Sequence, residues 1–456
     1  MNQTSARGGS AAWPWLRVLA AMTALTGGQT ARGAEVSSPA QSPVDQTWAI
    51  HAQATFTDQG HLAFSAPYAG GNSLSNNASG RETFDLTVFA GVRPWRGAEV
   101  WVNPEVDQGF GLNNTLGVAA FPSGEAYKVG AATPYLKLQR LFLRQTINLS
   151  GEGRSVDADV NQLSGRQTAN RLVITIGKFS VTDVFDGNSY AHDPRRDFLN
   201  WGFIDTGTFD YAADAWGYTL GAAAEWYQGP WTLRGGAFDL SVVPNSEKLD
   251  PSFGQFQLIG EIERRFAVAR REGSIKLTGF LSRARMGAYT DAIALGQQTN
   301  STPSLAPVRK YRSRSGVSLD AQQALTPDLG AFLRLGVAGG SSEPYEFADI
   351  DRTVAGGMSL KGAAWGRAGD TVGLAGELNG ISALHRKFLA NGGLGILIGD
   401  GRLPHYGDER ILETYYDVPV GRMAHVSADY QFIDNPGFNR DRGPVAVFAL
   451  RLHAQF

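Results

Sequence analysis

The chain has 456 residues with 41 basic and 43 acidic side chains, and its formal net charge of −2 gives no electrostatic footprint for nucleic acid. It has no cysteine, which excludes disulfide scaffolds, thiolate zinc sites and thiol catalysis. Length suggests two or three domains and a mean hydropathy of −0.20 suggests a soluble chain, but 56 glycines against a usual share of about 7% argue otherwise.

The first expected element is a secretory signal peptide over residues 1–34. Arg7 and Arg17 precede an apolar run from Val18 to Thr26; Ala34 suits the last position before cleavage, although Arg32 stands where a small residue is usual. That run is far short of the roughly 20 residues a spanning helix needs. Residues 35–46, with Ser37, Ser38, Pro39, Ser42 and Pro43, read as a linker that is disordered after processing. No run beyond Pro43 is long and apolar enough for a transmembrane helix. The expected destination is the periplasm, the outer membrane or the medium.

From residue 47 onward the apolar period is two. Trp48, Ile50, Ala52, Ala54 and Phe56 share one face with His51, Gln53 and Thr55 opposite; Phe84, Leu86, Val88, Ala90 and Val92 alternate with polar or small residues in the same way. Sixteen such segments are predicted, near 47–56, 82–92, 98–107, 135–149, 169–179, 214–227, 230–241, 254–266, 272–285, 312–324, 328–339, 353–366, 370–380, 411–418, 420–433 and 443–456. Their connections alternate between long and short, with one misfit of 19 residues after the fourth segment. Long loops at one end and tight turns at the other are the signature of a transmembrane β-barrel.

The predicted fold class is therefore all-β: a closed antiparallel transmembrane barrel of about 16 strands over residues 47–456, with long extracellular loops and short periplasmic turns. Each strand gives half its residues to lipid, which accounts for the mild hydropathy. Trp95, Trp226, Trp231 and Trp365 lie near predicted short turns and read as an aromatic girdle. On the fourth segment Leu141, Leu143, Ile147 and Leu149 face out, but Leu136 and Leu138 have the opposite parity, so a bulge is expected near Gln139. The run Gly392-Gly-Leu-Gly395-Ile-Leu-Ile-Gly399 could add strands, leaving the count between 16 and 18. Sixteen strands leave room for an aqueous channel, so the default reading is a pore.

Two long stretches carry a resemblance. One runs from Gly177-Lys-Phe-Ser-Val-Thr-Asp-Val-Phe-Asp-Gly-Asn-Ser-Tyr-Ala-His-Asp-Pro-Arg195 through Phe198-Leu-Asn-Trp201 to Phe209-Asp-Tyr-Ala-Ala-Asp214. The other comprises Ile398-Gly-Asp-Gly401, Glu413-Thr-Tyr-Tyr416, Asp429-Tyr-Gln431, Asn435-Pro-Gly437, Asp441-Arg-Gly-Pro-Val445 and Arg451-Leu-His453, ending in Phe456. Together they resemble the carbohydrate-selective porins (OprB type) of Gram-negative outer membranes, densely over 169–227 and 395–456. The resemblance implies facilitated diffusion of monosaccharides such as glucose, and of polyols, through a sixteen-stranded barrel. It implies sugars and the outer-membrane bilayer as partners, with a periplasmic sugar-binding protein downstream and a monomer or homotrimer. No cofactor and no metal are expected.

The longest predicted loop, 180–213, is the third long one and the expected constriction. Asp186, Asn188, His192, Asp193, Arg195, Arg196 and Trp201 supply the donors, acceptors and flat apolar face that sugar hydroxyls and C–H faces require. Lumen parity adds Arg140, Arg144, Glu105, Glu225 and Arg234 from the wall. Opposed acidic and basic walls would set up a transverse field across the channel. Asp205, Asp210 and Asp214 are a calcium candidate, with solvated loop carboxylates the plainer expectation.

The competing readings are a general, non-selective porin and an outer-membrane barrel enzyme. Against the enzyme, the seven histidines have no H-x-x-x-H spacing, and neither a G-x-S-x-G elbow nor a G-x-x-x-x-G-K-[ST] phosphate loop is present.

Overall fold

A strand that is apolar on one face must bury its backbone polar groups against neighbours on both edges before it can enter lipid. The structure is a computed structural model and describes residues 45–456, so the expected signal peptide and nearly all of the linker lie outside the described residues. The strands are β1 (Trp48–His61), β2 (Ser79–Val92), β3 (Ala98–Gly109), β4 (Ala131–Val156), β5 (Gly165–Phe179), β6 (Thr219–Gln228), β7 (Trp231–Asp239) and β8 (Phe256–Val268). They continue as β9 (Arg271–Met286), β10 (Lys310–Ala324), β11 (Leu329–Ala338), β12 (Arg352–Gly362), β13 (Arg367–Gly380), β14 (Glu409–Val420), β15 (Ala424–Asp434) and β16 (Val445–Gln455). Each pairs antiparallel with its sequence neighbours, and β1 pairs with β16, closing a sixteen-stranded barrel. Phe456 extends the seam: its N–H donates to Ala52 O at 2.8 Å, and Ala52 N–H donates back at 3.2 Å.

The two faces follow the sequence parity. Lipid-side residues such as Ile50, Leu258, Leu277, Val354, Leu374 and Phe448 are exposed on the outer wall, while Gln53, Thr55, Thr57 and Gln59 of β1 are buried inward. Trp95, Trp226, Trp231 and Trp365 are likewise exposed on the outside, as a girdle at the headgroup level requires. Arg264 lies 4.9 Å from the Trp231 ring centre.

The predicted bulge is present. Asn103 pairs with Arg140 but Pro104 pairs with Leu138, so Gln139 has no opposite residue. Pro104 cannot donate to the ladder, which favours a break there. Gln139 and Arg140 both turn inward, and Gln139 donates to Glu105 (3.1 Å) and Asp107 (3.3 Å).

Three expectations need correction. The misfit connection of 19 residues is largely strand: β4 and β5 extend beyond their predicted ends to Val156 and Gly165. The run Gly392–Gly399 follows a helix, Ala383–Ala390, and forms only an isolated bridge from Gly399 to Asn72, so the strand count among the described residues is sixteen. β6 starts at Thr219 rather than 214, because the Asp214 carboxylate accepts N–H bonds from Trp216 (3.0 Å) and Tyr218 (3.2 Å) and holds a turn there.

The lumen is not an empty cylinder. Loop aromatics pack on inward wall aromatics: Phe198 lies 5.7 Å from Phe332 of β11 and 5.0 Å from Tyr415 of β14, and Phe209 lies 5.8 Å from Phe280 of β9. These contacts bind the 180–213 segment to the β9–β14 wall and leave the passage beside β2–β6.

Candidate pore constriction

Residues 180–213 begin with a short turn, Val181–Asp183, and include a helical turn, Trp201–Ile204, started by Asn200, whose side chain accepts from Gly202 N–H. The segment reaches deep into the barrel. Arg451, near the C-terminal end of β16, donates to the carbonyls of Pro194 and Asp197, and Arg196 reaches Gln455. Glu413 of β14 accepts N–H bonds from Leu199 (2.5 Å) and Asn200 (3.0 Å).

This fold leaves a cavity of about 490 Å³ between the segment and the β1–β4 wall, lined by Asp183, His192, Asp193, Arg195 and Trp201 with Arg140 and Arg144 of β4. Seven of the residues expected from sequence therefore stand in relation to one passage, if Asp183 is counted with them. Trp201 stacks on Phe121 at 5.3 Å, nearly parallel. A second cavity of about 320 Å³ lies towards the short-turn end, lined by Arg144, Asp183, Glu225 and Arg234.

The arginines are used differently. Arg140 gives Nε and Nη2 to the two oxygens of Asp183, at 2.8 and 2.7 Å. Arg234 gives Nε to Glu225 (3.1 Å), Nη1 to Glu261 (2.6 Å) and Nη2 to Glu263 (2.9 Å). Arg144 gives Nη1 to the Asn161 carbonyl at 2.7 Å. Arg195 stands among Asp85 (3.8 Å), Glu125 (3.5 Å) and Asp193 (3.7 Å), all beyond ordinary hydrogen-bond distance. Its Nε has no hydrogen-bond partner among the described residues. Arg195 is therefore neutralised but keeps free donors, whereas Arg140 and Arg234 are braces.

The expected opposition of acidic and basic walls gives way to local pairing: Arg144 also lies 3.7 Å from Glu99, and each cation has carboxylates beside it. Pairing is what a desolvated wall demands, because an isolated buried charge is costly.

The other expected residues have structural roles. Asp186 is fully buried; its carboxylate accepts from Thr206 N–H (2.6 Å) and Oγ1 (2.8 Å), and burial raises its pKa. Asn188 donates to Asp320 of β10 at 2.9 Å and lines a third cavity beside Arg234. Glu105 accepts from Thr87 (2.5 Å), Tyr127 (2.8 Å) and Gln139, behind the cavity wall. Asp210 caps the N–H groups of residues 345–348 and pairs with Arg314 at 3.1 Å, while Asp214 pairs with Lys178 at 3.0 Å, so these carboxylates organise loops.

Sequence reasoning missed Glu125, Tyr127 and Lys128, which reach the cavity from the loop between β3 and β4. Lys128 donates to the Glu346 carbonyl (2.7 Å) and sits 3.7 Å over the Phe347 ring. Burial lowers its pKa to about 8.

A closed sixteen-stranded barrel with a polar passage beside an inserted loop defines a transmembrane channel of the bacterial outer membrane. Its fold is similar to the high-pH structure of OprB from Pseudomonas putida, with a TM-score of 0.67 and 17% identity over 90% of this chain and 94% of that one. The outer-membrane channel DcaP of Acinetobacter baumannii is similar at a TM-score of 0.47 and 10% identity, covering 90% of this chain and 97% of the other. A sequence comparison with curated proteins gives no match. Residues 71–456 match the family described as carbohydrate-selective porin, OprB family, and the chain belongs to it. It is an outer-membrane carbohydrate porin and not an enzyme.

Proposed function

We propose that this porin passes monosaccharides such as glucose, and polyols, through the cavity beside the 180–213 segment, and that Arg195 reads their hydroxyls. The observation that carries this reading is the contrast between arginines. Arg140 gives two nitrogens and Arg234 gives three to carboxylates at hydrogen-bond distance, whereas the carboxylates beside Arg195 among the described residues lie at 3.5–3.8 Å. A planar guanidinium offers two donors to vicinal hydroxyls, and nearby carboxylates can accept from the same sugar. The neutral ligand then exchanges water for side-chain bonds without moving net charge. Trp201, His192 and Asp193 complete the surface facing Arg140, and Arg196 positions the segment through Gln455.

The test is sugar block of ion current in planar bilayers. Arg195→Ala should weaken block by glucose by roughly tenfold, on the scale of a lost hydrogen bond to a charged group. Trp201→Phe, which keeps the stack on Phe121, should weaken it less. If glucose permeates no faster than a size-matched neutral solute, the channel is a general porin and the selectivity reading falls. The downstream periplasmic sugar-binding protein and an assembly of one or three chains belong to the same reading; co-purification and mass measurement of the detergent-solubilised porin test them.

A further inference from the structure

β4 and β5 continue well past their neighbours. β3 ends its pairing with β4 at Ala98–Gln145, and β6 ends its pairing with β5 at Tyr227–Arg171. Beyond that rim a two-stranded ribbon runs on to Val156 and Gly165. Its register shifts between Asn148 and Ser150 and again between Ser150 and Gly153, with Gly151 at φ +89°. Bulges bend and twist a ribbon, and this one returns to the barrel mouth.

The returning tip is bound to the wall at several points. Arg144 Nη1 donates to the Asn161 carbonyl (2.7 Å), and Asn103 Nδ2 donates to Asn161 Oδ1 (2.9 Å). Gln455 of β16 donates to Asp159 Oδ1 at 3.2 Å, and Arg93 donates to the Ser164 carbonyl at 3.2 Å. Gln455 thus touches both the ribbon from the short-turn end and Arg196 of the loop from the long-loop end. Leu163 is buried at 2% exposure. These contacts hold the tip across the short-turn mouth, facing Arg195 across the first cavity.

Beside the tip is the second cavity, lined by Gln162 and Gln167 of the ribbon and by Arg171, Glu225, Tyr227 and Arg234 of the wall. Its volume of about 320 Å³ is at the lower end for small-molecule sites. The Arg171 guanidinium carbon stands over Tyr227, 3.7 Å from the ring centre, a cation–π contact that helps to hold it in place. Its Nη1 donates to the carbonyls of Thr168 (3.4 Å) and Ala169 (3.5 Å), and its buried Nε has no hydrogen-bond partner among the described residues, whereas each nitrogen of the neighbouring Arg234 meets a carboxylate. Arg171 here repeats the condition of Arg195: a positioned guanidinium with an unspent donor, next to amides and a carboxylate.

We infer that this cavity is a second, exit-side subsite for neutral polyhydroxylated solutes, with the β4–β5 ribbon as its roof. The inference deepens the sugar reading of the constriction, and it makes the periplasmic turn a selectivity element in its own right. A solute released from Arg195 moves to Arg171 and Gln162 before reaching the periplasm.

Single-channel recording of the full-length porin tests this, with glucose added to one side at a time. Arg171→Gln and Gln167→Ala, which line the second cavity and not the first, should each weaken block from the periplasmic side by roughly threefold to tenfold, the scale of one hydrogen bond, and leave extracellular-side block within about twofold. Equal weakening from both sides would mean that the ribbon only supports the constriction, and no change from either side would mean that the cavity binds no sugar; either result overturns the inference. Arg195→Ala in parallel separates the two readings, because its failure to alter block while Arg171→Gln does so removes the constriction reading and leaves the exit subsite standing.

Discussion

Asp183, at the root of the lumen segment, accepts two parallel hydrogen bonds from Arg140 of β4, at 2.8 and 2.7 Å. The pair fastens a 34-residue loop to the one wall that also borders the passage. Burial opposes charge on Asp183, but the Arg140 guanidinium overcomes it and holds the carboxyl below its usual range. The depressed value means that the pair stabilises the folded state above the ordinary carboxylate pKa and is lost only as pH falls through the lowered one.

Loosening that root should make the current noisy. A charge-assisted pair of this kind is worth about 1.5 kcal/mol, so Asp183→Asn should raise the population of a displaced loop by roughly tenfold. Single-channel traces should flicker in the variant and stay quiet in the native porin as pH falls to the ordinary carboxylate range. Quiet traces from Asp183→Asn would show that the aromatic contacts alone hold the loop.

Lys128 gives the passage a pH response near neutrality. With its pKa lowered to about 8 by burial, it loses its charge as pH rises from 7 to 9, and the cavity loses one positive charge. The reversal potential in a salt gradient should shift towards cation preference over that interval. Lys128→Met should abolish the shift, and its persistence would assign the response to another group. Because the folded pKa lies below the unfolded value, stability should also gain as pH climbs from about 8 towards 10.5.

The lipid face is tested by Leu277, which lies on the outer side of β9 between Ile262 and Leu319 and is 52% exposed. Leu277→Arg should cost about 2–4 kcal/mol in bilayer stability, read as earlier unfolding in urea by heat-modifiable gel mobility. The inward neighbour Thr278 donates to Glu261 at 2.8 Å. Thr278→Val should cost about 1 kcal/mol by leaving one carboxylate oxygen short of a donor. A similar penalty at both positions would mean that the assigned faces are wrong.

Strand period, turn alternation and the bulge at Gln139 were legible because each is a local pattern. A lipid-facing strand has one permitted parity, and a proline opposite the ladder marks where the parity slips. The loop lining was only half legible. His192, Asp193, Arg195 and Trp201 lie in one dense motif, but Glu125, Tyr127 and Lys128 come from a loop with no period to expose them. Asp186 and Glu105 had the right chemistry for a filter and are instead spent on backbone amides and hydroxyls within the protein.

The sequence by itself determined the barrel, its faces and the segment that enters it, since lipid leaves the backbone few solutions and each can be read from alternation. Only the tertiary structure decided which arginines still have a donor to give. That depends on ångström differences between Arg140 and Arg195 in distance to a carboxylate, set by how the loops pack. It also decided where the β4–β5 ribbon goes. The excess residues are visible in the sequence, but their return across the mouth follows from two bulges and from partners as distant in the chain as Asn103 and Gln455.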